Sequence, residues 1–215
     1  MSADHWTFPW QDTAEVLTEQ NARQQLTLDD RHRYFHAPGL RISPPLVLPI
    51  HQEVDGLADY VRDLPASPSR HFVILLQAGA ASLGVFEHSE QLATKSIKKY
   101  VVRGRGRAQP THLASKGKSR YGSRLRLQNA QRLFDEVNQR LHEWVKEFGP
   151  PQEIFYSVPV RLWTSLLTHD EPPPFGKSER LIKIPHDLPV PTTEILVRTY
   201  RKMSYGRVDL DPEIQ

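Results

Sequence analysis

His71 to Glu87, HFVILLQAGAASLGVFE, decides the fold. Its first seven residues form a β-branched and aliphatic run of the kind buried on both faces of a sheet. Ala78 to Ala81 supplies a turn, and SLGVFE (82–87) gives a second strand, so the pair reads as a hairpin. Leu92 to Val102 reads as a third strand, its lysines facing water. Downstream, Leu127, Ala130, Leu133, Phe134, Val137, Leu141, Trp144, Val145 and Phe148 recur at three and four, the stripe of an amphipathic helix. Ser123 suits its N-cap, and Gly149-Pro150-Pro151 ends it. A strand at 153–160, a short helix at 161–168, a strand at 181–184, a helix at 192–203 and a strand near 207–210 complete the pattern. It predicts a mixed α/β domain with helices covering a sheet.

Upstream the pattern is weaker. Prolines recur at 38, 44, 45 and 49. Arg41-Ile42-Ser43 and Leu46-Val47-Leu48 are candidates only for edge strands. The expected organisation is an irregular N-terminal extension over 1–50, followed by a domain over 51–215. A short helix is expected near 56–64.

The 215 residues carry 28 Lys+Arg against 25 Asp+Glu, and that near balance conceals a segregation. From Gln91 to Phe134 there is no acidic residue and there are twelve basic ones, a local +12 against −9 elsewhere. So one-sided a block is the footprint of a polyanion-binding surface, since segregation of this kind costs self-repulsion in the folded state. Within it, 103–122 shows no periodic core pattern, and loops this long inside a compact domain are functional or disordered.

Other chemistries are disfavoured. Zero Cys removes disulfides, Cys-zinc sites and thiol catalysis. No signal peptide or membrane-length apolar run is visible, which suits a soluble cytoplasmic protein. Gly-Lys-Ser occurs at 117–119 and 176–178, but His112 and Glu171 stand where a phosphate-binding loop needs its first Gly. His32 and His36 are spaced i, i+4 without a matching third ligand, so they read as surface histidines and no metal is expected.

Gly106-Arg107-Ala108-Gln109 lies inside the basic block. Gly gives the backbone freedom, and Gln offers an amide donor and a carbonyl acceptor without a titratable group. Such a residue can position a water against an ester carbonyl while nearby arginines hold RNA phosphates.

The order FVILLQAGAASLGVFEHSE, SIKKYVVRGRGRAQ, GSRLRLQNAQRLFDEV, IFYSVPVRLW and LPVPTTEILVRTYRKMSYGRV resembles the catalytic domain of eukaryotic and archaeal peptide-chain release factors. It is still more similar to their Vms1-type branch, the ankyrin-repeat and zinc-finger peptidyl-tRNA hydrolases of ribosome quality control. The resemblance covers about 71–208 and implies a release-factor-like domain of RNase H-like topology. It implies Gln109 as the water-positioning residue, with Gly106 as its flexible partner and Ala108 where release factors have Gly. Lys98, Lys99, Arg103, Arg105, Arg107, Lys116, Lys118, Arg120, Arg124 and Arg126 would then face RNA. The expected partners are the large ribosomal subunit with its peptidyl-tRNA and rRNA. The protein would be a monomer, with no cofactor and no membrane. Ala and Arg in place of Gly restrict the backbone, which leaves a non-catalytic ribosome- or RNA-binding factor as the alternative. A nuclease is a further one, although the acid-free stretch supplies no clustered carboxylates for metal.

Overall fold

The computed structural model of the chain describes residues 4–29, 31–51, 53–99, 118–175, 180–186 and 188–210, with only the backbone of 118–127. In chain order the elements are β1 (Asp4–Pro9), α1 (Thr13–Arg23), β2 (Thr27–Asp29), β3 (Tyr34–Ala37), β4 (Leu40–Ser43), α2 (Leu57–Arg62), β5 (His71–Gln77), β6 (Ala80–Glu87), β7 (Glu90–Lys98), α3 (Lys118–Phe148), β8 (Glu153–Ser157), α4 (Val160–Leu167), β9 (Arg180–Lys183), α5 (Thr193–Met203) and β10 (Tyr205–Leu210). The chain divides into two compact units. One comprises Met1–Ser69, Glu87–Glu90 and Val197–Gln215; the other comprises Arg70–Phe86 and Gln91–Leu196.

The second unit holds a five-stranded mixed sheet in the order β7-β6-β5-β8-β9. β5 pairs antiparallel with β6 and parallel with β8, and β8 pairs parallel with β9. This is the expected α/β architecture. β5 is apolar without alternation because both of its faces are covered. Phe72, Ile74 and Leu76 pack with Leu133, Val137, Leu141 and Trp144 of α3 and Leu166 of α4. On the opposite face Leu196 of α5 sits over Gly84, where a Cβ would come within 2.9 Å of its methyl group. Also on that face His71, fully buried, holds Glu153 by a 3.1 Å contact between Nε2 and Oε2. Gly149 stops α3 at φ +85°, a left-handed conformation that favours glycine.

Two strand turns differ in character. Ala78-Gly79 closes β5 onto β6, with Gly79 at φ +81°. Between β6 and β7, His88 and Ser89 both take positive φ, 51° and 68°, as a type I′ turn requires, although neither is Gly or Asn. The His88 N–H donates to Pro68 O at 3.0 Å, and its Nδ1 lies 2.7 Å from Ser67 Oγ, which hold the turn in place.

The first unit corrects the expectation of an irregular region over 1–50. It contains an antiparallel sheet in the order β1-β10-β4-β3-β2. β4 is an interior strand, paired with β10 on one side and β3 on the other. The prolines do not prevent this, because Pro38 lies in the β3–β4 turn and Pro44 and Pro45 follow β4. Leu46 to Leu48 is a turn, closed by Leu48 N–H on Pro45 O. Phe8, Leu17, Phe35, Ile42, Tyr60 and Val208 make up its core, with the Tyr60 hydroxyl donating to Leu48 O at 2.6 Å. Burial raises the Tyr60 phenol well above its ordinary pKa. His36 lies on a strand and His32 in the preceding turn, so their helical spacing does not apply.

α3 also begins earlier than expected. Ser123 lies inside it and the helix starts at Lys118, shortening the expected 103–122 loop from its C-terminal side. Gly122 is a helix-interior glycine, a cost of about 1 kcal/mol that the rest of a 31-residue helix absorbs. The continuation of the third strand to Val102 lies outside the described residues. Among the described residues no helix is long and apolar enough to cross a membrane.

Candidate functional site at the carboxyl edge of the mixed sheet

β5, β7, β8 and β9 run in one direction, since β5 is parallel to β8 and β8 to β9, while β6 folds back tightly at both ends. Their carboxyl ends, Gln77, Lys98, Ser157 and Lys183, therefore share one edge of the sheet. In α/β sheets that edge is the usual place for a ligand. The described chain leaves this edge at Lys99 and resumes at Lys118.

The departure point is fixed twice. The Lys99 N–H donates to Gly79 O at 2.8 Å, pinning the chain to the β5–β6 turn. Its ammonium forms an ion pair with Glu136 of α3. Alternation along β7 sends Ile97 into the core beneath α3 and Ser96 to the other face, where its hydroxyl lies 2.9 Å from Thr193 Oγ1. Lys98 follows Ser96 and is exposed, whereas Lys99 turns toward α3. The two lysines expected to act together thus belong to opposite faces of the sheet.

The return path is a helical arm. Among the described side chains of α3, the first packed against the core is Ala130. At 1.5 Å per residue, the helix from Lys118 to that point spans about 18 Å. Lys118, Arg120, Arg124 and Arg126 all belong to this arm. Gly106, Ala108, Gln109, Arg103, Arg105, Arg107 and Lys116 lie outside the described residues.

Residue patterns alone did not single out three neighbours of this edge. Glu136 looked like any polar residue on the exposed side of α3. Lys183 ends β9 and is the register partner of Tyr156, which only strand pairing reveals. Tyr156 stacks on Trp163 of α4, centroids 4.3 Å apart and planes 4° apart, with Phe175 6.4 Å beyond. The aromatic spacing in sequence carried the only available hint of this stack. Gln77 is engaged, its Nε2 donating to Leu188 O at 2.7 Å. Among the described residues the edge carries lysines and neutral groups, with one carboxylate, Glu136, paired to Lys99.

Comparison with known proteins places the family and the fold. Residues 71–210 match the Bacteroidetes VLRF1 release factor family. A solved structure described as the Vms1 mitochondrial localization core superposes with a TM-score of 0.52 at 13% sequence identity, covering 90% of this chain and 80% of that one. At that identity the likeness speaks for the fold. No curated protein matches the chain. The matched span runs from the first strand of the mixed sheet to β10, and the chain belongs to the Bacteroidetes VLRF1 release factor family.

Proposed function

We propose that this protein is a peptidyl-tRNA hydrolase of the release-factor type, freeing nascent chains from stalled or obstructed large ribosomal subunits. The observation that carries the reading is the construction of the carboxyl edge. The basic segment leaves at Lys99, which is held by Gly79 and Glu136, and returns on a helical arm about 18 Å long, which suits delivery of a loop into a deep, phosphate-lined site. Gln109 orients the attacking water on the ester carbonyl, Gly106 gives the loop its freedom, and Ala108 precedes the water-positioning residue. The arginines and lysines from Lys98 to Arg126 hold the phosphates of peptidyl-tRNA and rRNA. Hydrolysis consumes one water, breaking the ester to give a free peptide carboxylate and the 3′-hydroxyl of tRNA. No cofactor enters. In this reading the protein works as a cytoplasmic monomer, with the matched span 71–210 as its catalytic part.

The test is release of labelled peptide from large subunits carrying peptidyl-tRNA. Gln109→Ala is expected to slow release by about two orders of magnitude, the scale of losing a positioning group, while ribosome binding stays intact. Release by Gln109→Ala at the wild-type rate would remove the catalytic assignment. Binding without release by the wild-type chain would leave a ribosome-binding quality-control factor.

A further inference from the structure

The segment 168–175 that follows α4 has no strand to pair its backbone, and it carries prolines at 172, 173 and 174. Its carbonyls, like the last carbonyls of α4, need donors from elsewhere. α3 supplies them. Asn138 Nδ2 donates to Leu166 O at 3.3 Å and to Glu171 O at 2.7 Å, and His142 Nε2 donates to Pro172 O at 2.9 Å. One turn earlier Asp135 Oδ1 lies 3.5 Å from His169 Nε2, and the His169 ring meets Phe134 edge-on, centroids 5.8 Å apart. Asp135, Asn138 and His142 are spaced i, i+3, i+7, so a single polar line runs along α3 beside its apolar stripe.

This seam is poorly suited to adding stability. Asn138 is fully buried, with Phe134 and Leu141 one turn away on either side, and its Oδ1 has no hydrogen-bond partner among the described residues. Turning the amide round would not help, because Nδ2 already meets two carbonyls. His169 Nδ1 is likewise buried without a partner among the described residues. Leu133, Val137, Leu141 and Trp144 already pack α3 into the core. Apolar packing is non-directional and tolerates a small tilt of one helix on its neighbours, whereas a line of hydrogen bonds does not. Buried polar groups of this kind are best known for fixing register between packed helices.

We infer that the seam of Asp135, Asn138 and His142, with His169 opposite, fixes the direction in which α3 leaves the core, and that Asn138 and His169 are positioning residues for the arm. Its bearing on peptide release rests on the hydrolytic reading above, whereas the direction of the arm does not.

The full chain has no cysteine, so Ser123→Cys on the arm and Gln91→Cys on β7 accept a specific pair of nitroxide labels. Residue 123 lies about 18 Å along the helix axis from Asp135, and a tilt of about 10° at the seam moves it by about 3 Å. Pulsed electron paramagnetic resonance reads the label distance in the unaltered seam, in Asn138→Leu and in His169→Phe, which keeps a ring against Phe134. Val85→Ala, on β6 in the same core, controls for lost stability. One narrow distance is expected for the unaltered seam and the control, and a displacement or broadening of about 3 Å for both seam variants. An unchanged distribution in either seam variant overturns the inference, as does equal broadening in Val85→Ala; should one seam variant fail to fold, the other decides. Peptide release from large subunits is followed in the same variants, where kcat is expected to fall about ten-fold or more with KM little moved. Full release from a displaced arm would leave the seam's role standing and remove the reading that the arm delivers the loop.

Discussion

Lys99 of the sheet's carboxyl edge and Glu136 of the long helix are joined by an ion pair at the point where the basic segment begins. Lys99 is thereby the one basic residue of the candidate RNA surface whose charge is visibly met within the described structure. An exposed pair of this kind contributes only about 0.2–1 kcal/mol, so it does little for the fold. Its consequence is for binding, because a phosphate must compete with Glu136 for Lys99.

Glu136→Gln should therefore tighten RNA binding while barely moving stability. With one more cation free, the slope of log affinity against log salt should steepen by about one. Titrations at several salt concentrations read both quantities. An unchanged slope would mean that Lys99 meets no phosphate.

The β6–β7 turn offers a stability test. Ser89 sits at φ +68°, and its buried hydroxyl has no partner among the described residues. Ser89→Gly removes both the left-handed strain and the unmet hydroxyl, and is expected to stabilise the chain by about 1 kcal/mol. Ser89→Ala keeps the strain and should gain less. Urea midpoints of the three proteins measure the difference.

What was legible in the sequence follows from range. The β5–β6 hairpin is a pair of continuous apolar runs around a turn and α3 a pattern of 3.6 residues, both local, and they were found where they lie, apart from the start of α3. The sheet of the first unit was not legible, because its interior strand β10 lies at the far end of the chain from its partners β1 and β4: Asp209 meets His5 and Arg41. Its strands are three to six residues long, too short for alternation to stand out, and prolines around them gave a stronger signal than the strands themselves. The site divided in the same way. A charge count located the basic block, while Glu136 became the partner of Lys99 only through helix packing.

Asp209 should leave a signature in acid. Burial works to raise its pKa, but hydrogen bonds from Arg41 and Arg207, with their charges, outweigh that and hold the carboxyl below its ordinary value of 3.8. A depressed folded pKa contributes stability that is fully present well above 3.8 and is lost as pH falls through the folded value. The stability difference between wild type and Asp209→Asn should thus be largest near neutral pH and shrink steadily below about pH 4. Denaturant titrations at stepped pH follow it; a difference that is flat with pH would mean the carboxylate gains nothing from its arginines.

The helical arm can be tested apart from the body that carries it. Gln128 is exposed and lies in α3 just before Ala130, the first core contact among its described side chains. Proline there removes the hydrogen bond to residue 124 and clashes with that carbonyl, a cost of about 3 kcal/mol, yet it suits the first turn of the helix that remains. Gln128→Pro should therefore leave Leu133 to Trp144 packed on the sheet and break the arm between Lys118 and residue 127. Circular dichroism should show the loss of about ten helical residues, on the geometry of one broken segment. The cooperative unfolding of the core should survive. Peptide release from large subunits should fall at least ten-fold against a Gln128→Ala control, because a broken arm no longer fixes where the loop arrives. Release at the control rate would mean that the first turns of α3 serve only to bring charge to the ribosome, and that the loop finds its place without them.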